Sequence, residues 1–294
     1  MEVKDITLWT ALVTPFKEDL TVDYEALEAL IKEQEEAGNG LLILGSTGEG
    51  LNIGSHVKKD IIEFVKGQNP KVPVMAGVGG HDLVATKSWV QWLETQNVDA
   101  YLMVVPMYAK PGTEGQLDWF TSLMDEVSKP VMLYNVPGRT AKALELDAVD
   151  KLKSHENFWA IKEASGSVDK FSAYLEVSDN AMVYCGDDGL FPDFADAGSC
   201  GLVSVASNAW PKETNLYVQK CLEKNFEDND LWTEAADSLF TASNPVPVKR
   251  LLKNEGRINS DILMPPLSRK DLKDDSALER ASKVVREWYS EHRK

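Results

Sequence analysis

Eight short apolar runs, each followed by a helix-like stretch, constrain the fold of this chain more than any other feature. They are LWTALVTP (8–15), GLLILG (40–45), PVMAGVG (73–79), AYLMVVP (100–106), PVMLYNVP (130–137), FWAIKEA (158–164), AMVYCGD (181–187) and GLVSVAS (201–207). Their hydrophobicity is near-continuous rather than alternating. A strand buried on one face alternates; a strand covered on both faces does not, and belongs in a parallel sheet. Between the runs the period becomes helical. TVDYEALEALIKEQEEAG sets Leu27, Leu30 and Ile31 on one face, with Thr21 as the expected N-cap and Gly38 as the stop. TEGQLDWFTSLMDEVS does the same with Leu117, Phe120 and Leu123. Eight β-then-α units in about 225 residues predict an α/β chain folded as a (β/α)8 TIM barrel. The units share no sequence repeat, which excludes a solenoid.

After residue 225 the strand signals stop. LWTEAADSLFTA, NPVPVKRLLKNEG and DSALERASKVVREWYSEHRK read as helices, the last with Ser276 and Glu279 at capping-box spacing and a stripe of Leu278, Ala281, Val285 and Trp288. The expected organisation is a catalytic barrel over 1–225 and a C-terminal helical appendage over 226–294.

The chain carries 47 acidic against 31 basic residues, a net charge of −16. That balance excludes nucleic acid and anionic membranes as partners, because the surface to neutralise phosphates is missing. It leaves room for a small anionic substrate at a local Lys/Arg site. No signal-peptide pattern opens the sequence and no run reaches membrane-spanning length. Cys185, Cys200 and Cys221 form no CxxC. Reduced thiols and a cytoplasmic location are the expectation.

In a barrel of this kind the reactive rim lies at the C-terminal ends of the strands. There the sequence collects GSTGEG, YNVPGRT, IKEASGS, CGDDG and SVASN. Lys162 stands out, a lysine ending the buried run Phe158-Trp159-Ala160-Ile161. Burial disfavours an ammonium, and a neutral amine attacks ketones to give a Schiff base. The competing role is an ion pair with Glu163, but neighbours on a strand face opposite ways. Ser46 and Thr47 sit between glycines in a turn able to receive a carboxylate. Tyr134 can carry protons, and Arg139 can grip a carboxylate with two donors. A phosphate nest after the seventh and eighth runs, which a sugar-phosphate isomerase would need, is disfavoured by the two aspartates of CGDDG. The dinucleotide fingerprint, HExxH and GxSxG are all missing from the sequence, so neither cofactor nor metal is expected.

At these residues the sequence resembles the dihydrodipicolinate synthase / N-acetylneuraminate lyase family. The likeness runs from ALVTPF (11–16) to NPVPVKRLL (244–252), and the ordered set GSTGE, YNVPGRT, IKEASG and CGDD carries its specificity. The resemblance implies a class I aldolase that binds pyruvate as a Schiff base on Lys162. It implies Tyr134 as proton donor and acceptor, and Ser46, where most synthases have threonine, as the hydroxyl linking two tyrosines. It implies Tyr108 as the relay tyrosine inserted into a neighbouring subunit's site, hence a homo-oligomer, a tetramer built as a dimer of dimers. It further implies Thr47 on the pyruvate carboxylate, Arg139 on the carboxylate of aspartate semialdehyde, and Gly186 and the Val203 carbonyl beside pyruvate. Arg139 and NPVPVK match the synthases, whose product is 4-hydroxytetrahydrodipicolinate on the route to diaminopimelate and lysine. GSTGE is also common among lyases, so N-acetylneuraminate lyase or a 2-keto-3-deoxy sugar acid aldolase stays open as the alternative. Lysine-inhibited members place a tyrosine before the relay tyrosine and a glutamate nearby. Here Met107 and Ala85 stand at those places, and weak or no inhibition by lysine is expected.

Overall fold

The computed structural model describes residues 2–179 and 181–293. Eight parallel strands close on themselves in sequence order. They are β1 (Leu8–Ala11), β2 (Gly40–Ile43), β3 (Val74–Val78), β4 (Ala100–Val104), β5 (Val131–Asn135), β6 (Phe158–Glu163), β7 (Met182–Cys185) and β8 (Leu202–Ser204). Each lies inside one of the eight apolar runs but is shorter, because the last residues of every run leave the ladder as rim loops. The fold is the expected (β/α)8 barrel.

Helices α1 (Tyr24–Ala37), α2 (Ser55–Gly67), α3 (Leu83–Thr95) and α4 (Thr113–Met124) follow the first four strands in turn. A short α5 (Pro137–Thr140) and α6 (Leu146–Leu152) follow β5, and α7 (Val168–Val177) follows β6. Then come α8 (Phe191–Asp196) after β7, and α9 (Ala206–Ala209) with α10 (Pro211–Leu222) after β8. Two cores result. The outer one, between sheet and helices, takes Leu30, Ile62, Val90, Phe120 and Phe171. The inner one fills the barrel itself with Trp9, Met75, Met132, Trp159 and Tyr184. Trp159 meets Trp9 and Tyr184 edge-on at 6.2 and 5.7 Å, and the Tyr184 hydroxyl donates to the Ile6 carbonyl at 2.9 Å. These aromatics come early on their strands or bond to the chain before β1. They plug the N-terminal end of the barrel and leave the C-terminal end to chemistry.

Beyond α10 lie α11 (Asn229–Ser238), α12 (Val246–Asn254) and α13 (Ser276–His292). Trp232 of α11 stacks on Tyr217 of α10 at 4.3 Å and meets Trp288 of α13 edge-on at 5.1 Å. Leu278, Ala281, Val285 and Trp288 are buried, as the stripe predicted. Arg257 ties this region to the barrel, donating to the carbonyls of Ala209 and Asn208 and pairing with Glu33 of α1.

Two helix starts differ from the sequence reading. The N-cap of α1 is Asp23, whose carboxylate accepts from Ala26 N at 3.2 Å; Thr21 gives both its N–H and its hydroxyl to Asp19 instead. No capping box forms at α13. Ser276 donates through backbone and hydroxyl to Asp274, and Asp275 holds the N-cap position while accepting from Arg250.

Candidate active site

Lys162 is the fifth residue of β6 and pairs in register with Tyr134, the fourth of β5. Both point into the barrel. Lys162 is 5 % exposed, and its Nζ lies 4.4 Å from the centre of the Tyr134 ring. Among the described residues it forms no ion pair. Glu163 points the other way, as strand geometry requires. Its carboxylate accepts from Asn135 Nδ2 and, at 2.8 Å, from Ser165 N, and burial raises its pKa.

Gly186, just past β7, presses on the lysine. A Cβ there would stand 2.8 Å from Lys162 Cε and 2.7 Å from Ala164 Cβ, so only glycine leaves the lysine its path. Val203 is buried inside the barrel on β8. Asp187 accepts from Gly166 N at 3.2 Å, and its carboxyl is pushed up to about 6 by burial, against the pull of Lys162. Asp188 accepts from Ser204 Oγ, Val205 N and Ala206 N. It thereby occupies with its own carboxylate the backbone donors that a substrate phosphate would need at this corner.

The loop after β2 brings Ser46 and Thr47 to the same rim. It is folded tightly. Gly50 N donates to Gly45 O at 3.1 Å, and a Cβ on Gly50 would strike the Leu44 carbonyl oxygen at 2.0 Å. Glu49 adopts φ 57°, fully buried. From within the loop its carboxylate receives Lys249 Nζ at 2.6 Å and Met264 N at 2.7 Å. Thr47 Oγ1 lies 2.9 Å from Asn244 Nδ2. Ser46, Tyr134 and Arg139 line a cavity of about 270 Å³ together with Val136, Met107 and Asn244. Arg139 stands on α5, which begins with Pro137, a residue pre-set for a first helical turn. Its Nη2 reaches the Asn244 carbonyl at 3.4 Å.

Six of the eight residues singled out in the sequence therefore gather at the open end of the barrel, while Val203 lies in the inner barrel core in register with Trp9. Tyr108 does not join them within one chain. It is 90 % exposed, with φ 66°, and points away while its neighbour Met107 lines the cavity.

The family model described as the dihydrodipicolinate synthetase family matches residues 5–284. The chain belongs to the dihydrodipicolinate synthetase family. A relative in this family, the 4-hydroxy-tetrahydrodipicolinate synthase of Francisella tularensis subsp. novicida, is 43% identical over 285 residues, spanning 96% of this chain and 97% of its own. A solved dihydrodipicolinate synthase from Acinetobacter baumannii, described as chloride inhibited and complexed with pyruvate, superimposes with a TM-score of 0.88 at 29% identity, covering 95% and 98% of the two chains. A structure described as the first monomeric dihydrodipicolinate synthase variant gives 0.87 at 28% identity, with 96% of each chain covered.

For this synthetase-family chain, the sequence reading passed over the residues that hold the site from behind. Asn244, Glu49 and Lys249 touch the rim loops but lie about 200 positions from their partners (197 for Asn244 and Thr47, 200 for Lys249 and Glu49). NPVPVKRLL carried two of them in plain view. The signal that could have marked Lys249 is a basic residue set among Val248, Leu251 and Leu252 on the buried stripe of α12, where a charge requires a partner.

Proposed function

We propose that the chain is a 4-hydroxy-tetrahydrodipicolinate synthase that joins pyruvate to L-aspartate 4-semialdehyde through a Schiff base on Lys162. The observation that carries this reading is a buried lysine amine, free of any ion pair among the described residues, at the open end of the barrel against a tyrosine ring, in a chain of this family. The amine attacks the ketone carbon of pyruvate, and loss of water gives an iminium. Removal of a methyl proton gives the enamine, whose carbon attacks the aldehyde. The amine of the second substrate then displaces Lys162 and closes the ring.

In this scheme Tyr134 moves the protons and Ser46 relays them. Tyr108 from a second copy of the chain completes the relay; its exposure and outward direction support that role, and with it a homo-oligomer, a tetramer built as a dimer of dimers. Thr47 holds the pyruvate carboxylate and Arg139 that of the semialdehyde, while Gly186 and Val203 bound the pyruvate side. The free thiols Cys185, Cys200 and Cys221 are in keeping with a cytoplasmic enzyme. Among the described residues no helix is long and apolar enough to cross a membrane.

The deciding experiment compares turnover of pyruvate with aspartate semialdehyde against cleavage of N-acetylneuraminate and of 2-keto-3-deoxy sugar acids. Formation of the cyclised product, with little cleavage of sugar acids, supports the synthase. The reverse order of rates makes the chain a sugar-acid aldolase built on the same lysine.

A further inference from the structure

Thr47 has one hydroxyl proton, and its direction matters. In the proposed function, on which this inference rests, that proton goes to the carboxylate of pyruvate. Asn244 is packed against the same hydroxyl, with Nδ2 2.9 Å from Oγ1. An amide nitrogen only donates, so Thr47 Oγ1 accepts from it and its own proton is turned elsewhere. The opposite amide orientation would draw the Thr47 proton onto Asn244 and put both amide N–H donors at the position where Oδ1 finds no partner. The orientation present leaves Asn244 Oδ1 and one of the two amide N–H donors unpaired, and one orphaned acceptor beside one orphaned donor is less costly than two orphaned donors.

The same residue touches the other carboxylate grip. Its backbone carbonyl accepts from Arg139 Nη2 at 3.4 Å. It is itself held firmly. Val246 N donates to Ser243 O at 2.8 Å, closing a turn around it, and three residues further on Lys249 locks α12 to Glu49 in the Thr47 loop. The hydroxyl, from the loop after β2, and the guanidinium, from α5 after β5, meet on one buried asparagine.

We infer that Asn244 is a positioning residue for both substrates. Its side-chain amide turns the Thr47 hydroxyl proton toward the pyruvate carboxylate, and its carbonyl steadies Arg139. The two functions separate by substitution, because the carbonyl survives any change of side chain.

The test measures half-saturation by pyruvate and by semialdehyde separately, on folded variants checked by thermal melting. Asn244→Ala raises the pyruvate value by roughly 10-fold, the scale of a hydrogen bond to a charged group. The semialdehyde value stays within about twofold, the range of uncoupled sites. Asn244→Asp keeps the shape but, ionised, only accepts, so it does not restore pyruvate affinity. In a Thr47→Val background, Asn244→Ala adds less than about a further twofold, since no hydroxyl remains to be turned. If Asn244→Ala fails to fold, the near-isosteric Asn244→Asp carries the comparison; if Asn244→Asp fails, the cycle with Thr47→Val carries it. Recovery of pyruvate affinity in Asn244→Asp, or an equal penalty with and without the Thr47 hydroxyl, overturns the inference. Failure of the unsubstituted enzyme to be saturated by pyruvate is a failure of the proposed function, and the inference falls with it.

Discussion

Replacing Lys249 by methionine isolates what the buried ion pair does for the rim. Lys249 and Glu49 are both 0% exposed, with Nζ 2.6 Å from Oε1. At an effective dielectric near 20, charges at that separation attract by about 6 kcal/mol, and burial of the two ions offsets several of these. Burial lowers the pKa of Lys249 and raises that of Glu49, so desolvation opposes the charged form of each. Losing one partner strands the other, and Lys249→Met is expected to lose about 3–5 kcal/mol of unfolding free energy. Glu49→Gln added to it should return part of that loss, because no charge is then left unpaired. The sign with pH also follows. An acid whose folded pKa is raised contributes stability that is present below its ordinary pKa and lost as pH rises through the raised value. With Lys249 gone, Glu49 is raised further, so the penalty must grow as pH rises above the ordinary carboxylate value of about 4.3. Urea unfolding at fixed protein concentration, followed upward from that pH, measures it. A loss below about 1 kcal/mol, or one that does not change with pH, would refute the reasoning.

Three other outcomes are expected. Gly186→Ala forces Lys162 Cε away from a Cβ at 2.8 Å; borohydride trapping of pyruvate should slow by about 100-fold, the scale of a 1 Å misplacement, with the fold kept by circular dichroism. Asp187 sits at about 6 instead of 3.8, so Asp187→Asn should gain up to about 3 kcal/mol at neutral pH. Because the raised acid loses stability between pH 4 and 6, that gain should vanish below about pH 4 in urea titrations. Free lysine at millimolar concentration should leave the steady-state rate unchanged or weakly reduced, and strong inhibition contradicts the reading of Met107 and Ala85.

The eight strands were legible because two-sided burial writes itself as continuous apolar runs, and nothing else in a chain this size repeats in that way. Lys162 was legible for the same reason, as a charge that breaks such a run. Helix starts were less so. Asp19, Thr21 and Asp23 are all able to cap within five positions, and only the hydrogen bonds decide that Asp19 binds Thr21 and leaves the cap to Asp23. The supporting shell was illegible for a different reason. Glu49–Lys249 and Thr47–Asn244 join positions brought together only when α12 packs on the rim, and no local period records a contact across 200 residues. Tyr108 shows the limit from the other side. Its importance was read from resemblance, and a single chain leaves it facing outward.

Reduction with borohydride in the presence of pyruvate, followed by peptide mass mapping, bears most directly on the claim that one buried amine does the chemistry. A pyruvate-derived mass on the peptide carrying Lys162, lost in Lys162→Ala, is the predicted result. An unmodified Lys162 peptide from folded protein, or the adduct on a different lysine, would contradict it.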